Sequence, residues 1–427
     1  MGIRGMAQRL SWGLADQAVS SLTNFAVGVF VAHGLGITAF GIFSLAWVTY
    51  GVIINISRGL ATDPLVVRFS GVGTALWRNA VGRSAGTALA VGLVTGVLSV
   101  FIGVTIGGDL GWAFIALGFV LPALTVQDAW RFAFFAAGLG QRAFTNDMVW
   151  ALAMVPAMLL AHRDGSVVAY LLAWGLSAGV AALYGCVQTG MLPRLTGVMS
   201  WLREQRDLGT RYMLENVSNS GSTQLRMYGL GAIAGVAAVG SVRGAELLMG
   251  PFMAVLMGLC FVAVPEAARV LRADHRRLTS FCLVLGGAQT AGTLLWGVSL
   301  LVLMNDGIGT LVLGQTWYTA AALILPATLS VANAGMINGA AAGLRALGDA
   351  RRSLRCMLIT SGAYVVFGLT GAVLGGALGS AWGAASATFI GAIVWWTQLR
   401  VSLRNYQPAA PVTDELALSS DESRTTP

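Results

Sequence analysis

The chain of 427 residues is 56% hydrophobic and only 10% charged, with a mean hydropathy of +0.74. A soluble domain carries about 25% charged residues, so a single water-soluble globule is excluded, as are a disordered chain and a disulfide scaffold. Its basic residues are all arginine, 26 against 18 Asp and Glu, for a net charge of +8. In so apolar a chain this excess concerns membrane topology, and no nucleic-acid partner is expected.

The short basic start, Met1 to Leu10, runs into a long apolar segment without a small-residue cleavage site, which predicts an uncleaved first helix. Twelve apolar runs follow, near 12–33, 39–57, 80–106, 112–136, 146–161, 166–188, 212–235, 244–265, 279–304, 317–339, 355–375 and 378–399. All but the shortest, 146–161, are long enough to cross a bilayer as a helix, about 20 residues for a 30 Å hydrocarbon core. With the N-terminus inside, 23 arginines fall in inside segments, Arg163 and Arg243 fall outside, and Arg226 falls within a span. The positive-inside rule therefore predicts a multi-pass protein of the cytoplasmic membrane with both termini cytoplasmic. The longest inside connection, 189–211, divides the chain into an N-terminal six-helix lobe (1–188) and a C-terminal one (212–404). The polar, acidic stretch 405–427 reads as a disordered cytoplasmic tail.

The halves read as repeats. A shift of 199 residues pairs Asp16 with Glu215, Thr23 with Ser222, Gly36 with Gly235 and Gly41 with Gly240. Pro64-Leu-Val-Val-Arg68 answers Pro265-Glu-Ala-Ala-Arg269, and Ala136-Ala-Gly-Leu139 answers Ala341-Ala-Gly-Leu344. Two six-helix repeats share one orientation, so their pseudo-two-fold should lie along the membrane normal.

The run from Phe25 to Ala46, an apolar helix, a Leu35-Gly36 turn and then Phe40-Gly-Ile-Phe-Ser-Leu-Ala46, resembles the first helix pair of the polysaccharide flippase family. Ala137-Gly-Leu-Gly-Gln-Arg142 and Leu347-Gly-Asp-Ala-Arg351 resemble that family's connections after helices four and ten. The family belongs to the multidrug/oligosaccharidyl-lipid/polysaccharide exporter (MOP) superfamily. The resemblance implies an all-α membrane protein, twelve transmembrane helices in two six-helix lobes around a central cavity. It also implies flipping of polyprenyl-diphosphate-linked saccharides by alternating access for cell-surface polysaccharide biosynthesis. The partners implied are that lipid-linked substrate, membrane lipids and other polysaccharide-assembly proteins.

Ionisable groups inside spans are costly and mark candidate sites. Glu215, Asn219, Ser222 and Arg226 fall within a narrow arc at 100° per residue, with Gln224 beside them, and Arg226 is expected near the bilayer midplane. The first helix repeats the stripe with Asp16, Ser20 and Thr23, flanked by Asn24. Two readings of Arg226 stay open. It anchors a substrate diphosphate as an unneutralised guanidinium in a wet chamber, or it joins an interlobe network neutralised by Glu246. Asp128 and Arg131 read as a local i, i+3 pair or a gate. Arg58 and Arg68 read as topology signals and headgroup contacts, with Arg58 a further gate candidate.

Other motifs fail. The Gly34-Leu-Gly turn follows no strand, there is no P-loop, and the three histidines and four cysteines have no metal spacing. Neither a cofactor nor an enzymatic activity is expected. An ion-coupled multidrug or small-molecule exporter of the same superfamily is the alternative function. A membrane glycosyltransferase is disfavoured by the short outside loops, and a major-facilitator transporter by the lack of that family's signature between Arg58 and Arg78.

Overall fold

The computed structural model describes residues 3–70 and 72–406, without the side chains of 3–11, 13, 14, 215, 217–219, 254–262, 264, 265 and 350. The predicted tail from 407 onward lies outside the described residues. Within them every regular element is helical. The N-terminal half comprises α1 (Ile3–Gly34), α2 (Ile37–Ser57, extended by Arg58–Thr62 and Asp63–Phe69), α3 (Thr74–Ile106), α4 (Gly108–Ala136), α5 (Gly140–Asp164) and α6 (Val167–Thr189). After a linking helix, Val198–Glu204, come α7 (Arg206–Ala234), α8 (Val236–Ala273), α9 (Leu278–Leu303) and, after the short helices Asp306–Leu313 and Trp317–Ala320, α10 (Ile324–Ala346). The last stretch, Ala350–Arg404, breaks where Gly375 and Gly376 leave helical geometry, Gly376 with φ 56°. It therefore supplies two spans, α11 (350–374) and α12 (377–404).

Eight described stretches are long and apolar enough to cross a membrane, one of them the broken α11–α12 pair. With α1, α7 and α8, which also have spanning length, the helices number twelve. The outer face of α3 shows why such a chain needs lipid: Val94, Val97, Phe101 and Val104 all stand exposed. Several helices extend beyond the apolar runs, and two of the shifted starts bear on the site. Helix α8 begins at Val236, eight residues ahead of the predicted start, so Arg243 lies inside a helix and not in an outside loop. Helix α7 begins at Arg206, because its first turns are polar enough to be missed by hydropathy.

The two lobes meet where α1 and α2 pack against α7 and α8. At the helix ends bearing few arginines, a single apolar core runs through both lobes, from Val31, Phe40 and Trp174 to Leu230, Val242 and Leu323. At the arginine-rich ends the core splits into two, one around Trp130 and Trp201, the other around Cys282, Leu344 and Trp395. The lobes are thus fused at one face and separately packed at the other. The fused face has its tightest point at Gly41 and Gly240. A Cβ on Gly41 would stand 1.8 Å from the Val236 carbonyl oxygen, and one on Gly240 would stand 2.4 Å from that of Ile37. Each contact is the other moved by 199 residues, so repeat-related glycines touch across the pseudo-two-fold.

Helix α2 carries a one-turn π-helical widening at Arg58–Thr62, with Asp63 N–H bonded to the Arg58 carbonyl. Its cause is Pro64, which has no N–H to offer the carbonyl four residues back and whose ring crowds it. That carbonyl, on Leu60, instead accepts the indole N–H of the fully buried Trp201 at 3.1 Å. Ser84 donates to the next carbonyl, on Ala61, at 2.9 Å. The linking helix is therefore bound to the N-terminal lobe at the point where α2 widens.

Candidate functional site

Between the lobes lies a cavity of about 480 Å³, walled by α1, α2, α7, α8, α10, α11 and α12. This is within the usual range for ligand pockets, roughly 300–1,000 Å³. Its walls are mostly apolar and aromatic, with Phe25, Phe43, Trp47, Met253 and Tyr364 prominent. Among the described residues the ionisable side chains in the wall, besides Tyr364, are Arg226, Arg243 and Glu246.

Arg226 does not stand free. It is 2% exposed and donates through Nη2 to Glu246 Oε1 at 2.8 Å. Nη1 reaches Ser380 Oγ at 3.4 Å, and the guanidinium lies over the Tyr364 ring, 5.0 Å from its centre. Nε has no partner. The aliphatic stem runs across Gly368, where a Cβ would lie 2.6 Å from Arg226 Cδ. Of the two readings left open by the sequence, the structure shows the pairing with Glu246, so the guanidinium is not unneutralised. Glu246 is itself shared, its other oxygen accepting from Arg243 Nη1 at 3.0 Å. Two guanidiniums on one carboxylate leave the group one positive charge in surplus. Arg243, missed because its helix start was placed too late, supplies that surplus from a partly exposed position. Along α7, Arg226 sits six residues, about 9 Å, past the helix middle toward the arginine-poor face.

The rest of the predicted stripe divides. Asn24 is exposed in the cavity wall. Thr223 joins it, whereas Ser222 and Gln224 do not line the cavity. The amide of Gln224 points to α2, where a Cβ on Gly51 would meet its Nε2 at 2.9 Å. Asn216, Ser220 and Tyr228, spaced with Gln224 at every fourth residue, face the same way. Asn216 donates to Asp63 at 2.7 Å, Asn55 donates to Ser220 at 3.0 Å, and Thr49 meets Tyr228 at 2.8 Å. This i, i+4 ladder is the α2–α7 seam, legible in sequence as a row of polar residues but not as a row facing α2. The side chains of Glu215 and Asn219 lie outside the described residues.

Asp16 belongs to a different site. It is fully buried inside the N-terminal lobe and accepts from Arg131 Nε at 2.7 Å. Arg131 also reaches Asp147 at 3.4 Å, and Asp147 accepts from Gln127 at 2.9 Å. Asp128 does not pair with Arg131, three residues away. It takes Arg58 in a bidentate fork, 3.0 Å from Nε and 2.7 Å from Nη2. The local pairing rule fails here because a buried carboxylate gains more from a two-pronged guanidinium than from a single strained i, i+3 contact. Arg58 and Arg68 are correspondingly not free for headgroups; Arg68 holds Asp207 at 2.6 Å and Gln205 at 2.8 Å. Three carboxylates, Asp16, Asp128 and Asp147, face two guanidiniums in this cluster. Asp147 escaped notice because it sits at the very start of its apolar run. Among the described residues no His, Cys, Asp and Glu grouping could hold a metal ion.

No protein-family model and no curated protein matches the sequence. Solved structures match in fold. A multidrug resistance MATE family transporter of the MOP superfamily, in an inward-facing conformation, aligns with a TM-score of 0.69 at 16% identity, covering 93% of this chain and 98% of its own. The lipid II flippase MurJ, in an inward closed conformation, gives 0.70 at 10% identity, covering 92% and 87%. A MOP superfamily transporter from Pyrococcus furiosus, described as having a binding pocket of reverse polarity, gives 0.56 at 16% identity over 94% and 95%. The chain has the fold of MOP superfamily transporters, a multi-pass membrane architecture.

Proposed function

We propose that the protein moves an anionic, lipid-linked substrate across the cytoplasmic membrane by alternating access, as expected of a flippase for polyprenyl-diphosphate saccharides. The observation that carries this reading is the Arg226–Glu246–Arg243 group in the interlobe cavity, where two guanidiniums share one carboxylate. A surplus positive charge in a low-dielectric chamber repels cations and attracts phosphate oxygens, which arginine can grip with two donors. The apolar and aromatic walls suit a substrate with a hydrocarbon part. MurJ, described as a lipid II flippase, supports a lipid-linked substrate for this fold. A core fused at the arginine-poor face and split at the arginine-rich one fits a resting state open toward the cytoplasm, if the arginines are inside. Rocking the two lobes about the Gly41–Gly240 contact would carry the cavity to the other face.

The test is a leaflet-exchange assay in vesicles containing the purified chain and a fluorescent polyprenyl-diphosphate saccharide. Wild type should accelerate exchange, and Arg243→Gln should slow it while leaving the fold intact. Equal rates for the two proteins would remove the cavity charge from the mechanism.

A second reading, an ion-coupled exporter of small molecules, is favoured by one observation. The buried cluster of Asp16, Asp128 and Asp147 carries one more carboxylate than its two arginines neutralise, and a proton could occupy it. Uptake of a cationic dye driven by an imposed pH gradient, abolished in Asp147→Asn, would select this reading.

A further inference from the structure

The arginines of the arginine-rich face are used differently by the two lobes. In the N-terminal lobe all six between 58 and 142 donate to protein oxygens. Arg58 and Arg131 hold carboxylates inside, Arg68 holds Asp207, and Arg83 holds Glu204 at 2.7 Å. Arg78 donates to the Thr189 carbonyl at 3.0 Å, and Arg142 to the Gln188 carbonyl at 3.2 Å. The C-terminal lobe reverses this. Ten arginines lie in its three corresponding segments, 269–277, 345–355 and 400–404, and nine of them are exposed. Only Arg269, Arg277 and Arg352 meet carboxylates, each a local i, i+3 contact. The other seven side chains find no acceptor among the described residues.

These three segments form one surface. Ser402 at the end of α12 donates to Asp349 ahead of α11 at 2.8 Å, and His275 in the α8–α9 turn lies 6.2 Å from the Tyr406 ring. Beneath them the Cys282–Leu344–Leu399 core fixes the helix ends to one another. The arginines therefore crown the ends of four membrane-spanning helices, α8, α10, α11 and α12, at the level where phospholipid headgroups begin.

We propose that this surface binds the anionic phospholipid headgroups of the surrounding bilayer, and that the six N-terminal-lobe arginines between 58 and 142, already taken by protein acceptors, do not. The placement selects the partner. The charges ring helix ends that stand in the membrane interface, and unpaired guanidiniums there take phosphate oxygens directly. One lobe held to the headgroup layer by charge, and the other held together by its own ion pairs, gives the rocking pair a fixed half and a moving half. This inference concerns the outer rim and does not depend on what the cavity transports.

The experiment is native mass spectrometry of the full chain released from nanodiscs of equimolar phosphatidylglycerol and phosphatidylcholine. Wild type at low ionic strength should retain phosphatidylglycerol in several-fold excess, and 0.5 M NaCl during equilibration should erase the excess. Each arginine removed near the surface should reduce that preference by up to about fivefold. The quadruple variant Arg351→Gln, Arg355→Gln, Arg400→Gln, Arg404→Gln should therefore show none, and the matching four Arg→Lys changes should keep it. The pair Arg78→Gln, Arg142→Gln in the other lobe should leave the preference unchanged. Wild type without a preference at low salt would overturn the proposal whatever the variants do. So would a preference lost equally in the N-terminal-lobe pair, or one that persists in a chain carrying the four Arg→Gln changes. Occupation of the arginines by the acidic residues 414–422 of the chain itself would show as a preference that emerges only on truncation after Tyr406, and would likewise overturn it.

Discussion

Replacing Gly41 by alanine tests the contact that closes the arginine-poor face. The added Cβ would lie 1.8 Å from the Val236 carbonyl oxygen, whereas real Cβ contacts do not come closer than 3.0 Å. The two backbones must therefore separate by more than 1 Å at the point where the lobes touch. Overpacking of this kind costs about 1–3 kcal/mol. If the strain falls only on the closed state, the equilibrium moves toward opening at that face by roughly 5- to 150-fold. Alanine at Gly36, whose Cβ would meet nothing within 4 Å, is the matched control. The assay places a single cysteine at Ala327 in the cavity wall of a chain otherwise free of cysteine. An impermeant maleimide is then added from the arginine-poor side. Labelling should be much faster with Gly41→Ala than with Gly36→Ala or Gly41 intact. Equal labelling rates in all three would refute the assignment of this crossing as the closure.

Arg131→Gln strands Asp16 and Asp147 inside the N-terminal lobe, and loss of one partner from a buried ion pair costs about 3–5 kcal/mol; thermal unfolding in detergent should show a large fall in midpoint, and a small one would mean the cluster is already protonated. Trp201→Ala removes a fully buried indole and should cost about 3–5 kcal/mol. Trp201→Phe, which frees the Leu60 carbonyl but keeps most of the buried ring, should cost less, about 1–3 kcal/mol in the same measurement. Gly368→Leu drives a side chain into the space of the Arg226 stem and should reduce transport as strongly as loss of the guanidinium, with insertion in the membrane preserved; wild-type rates would show that Arg226 can leave its place without consequence. Arg243→Gln withdraws a charge-assisted contact worth about 1.5–3 kcal/mol, so the apparent affinity for an anionic substrate should fall roughly ten- to hundredfold.

The helices were readable because hydrocarbon thickness fixes their length and composition reports it directly. The repeat was readable as well, and its most informative pair, Gly41 and Gly240, turned out to be a physical contact and not only a correspondence. What escaped the sequence was pairing. Helical spacing placed Arg226 on a polar face and left Glu246 as the partner in one of two open readings, and only the packing of α8 against α7 decides between them. Asp128 was assigned the nearest cation along the chain, while folding brought it Arg58 from 70 positions away. Arg243 was read as a loop residue because charge in an apolar chain signals a boundary, and a partly buried carboxylate partner, Glu246, weakens that signal. The polar ladder on α7 shows the same limit, since Asn216, Ser220 and Gln224 are as compatible with a wet cavity as with a seam. Only the position of α2 decides between them.

The central question is the sign of charge that the cavity passes. It is tested by measuring, in the same vesicles, leaflet exchange of a polyprenyl-diphosphate saccharide and transport of a cationic dye of similar size. A chamber with two guanidiniums on one carboxylate should carry the first at a rate far above protein-free vesicles and leave the second at background. Dye movement at the faster rate, with the diphosphate lipid left in its original leaflet, would contradict it.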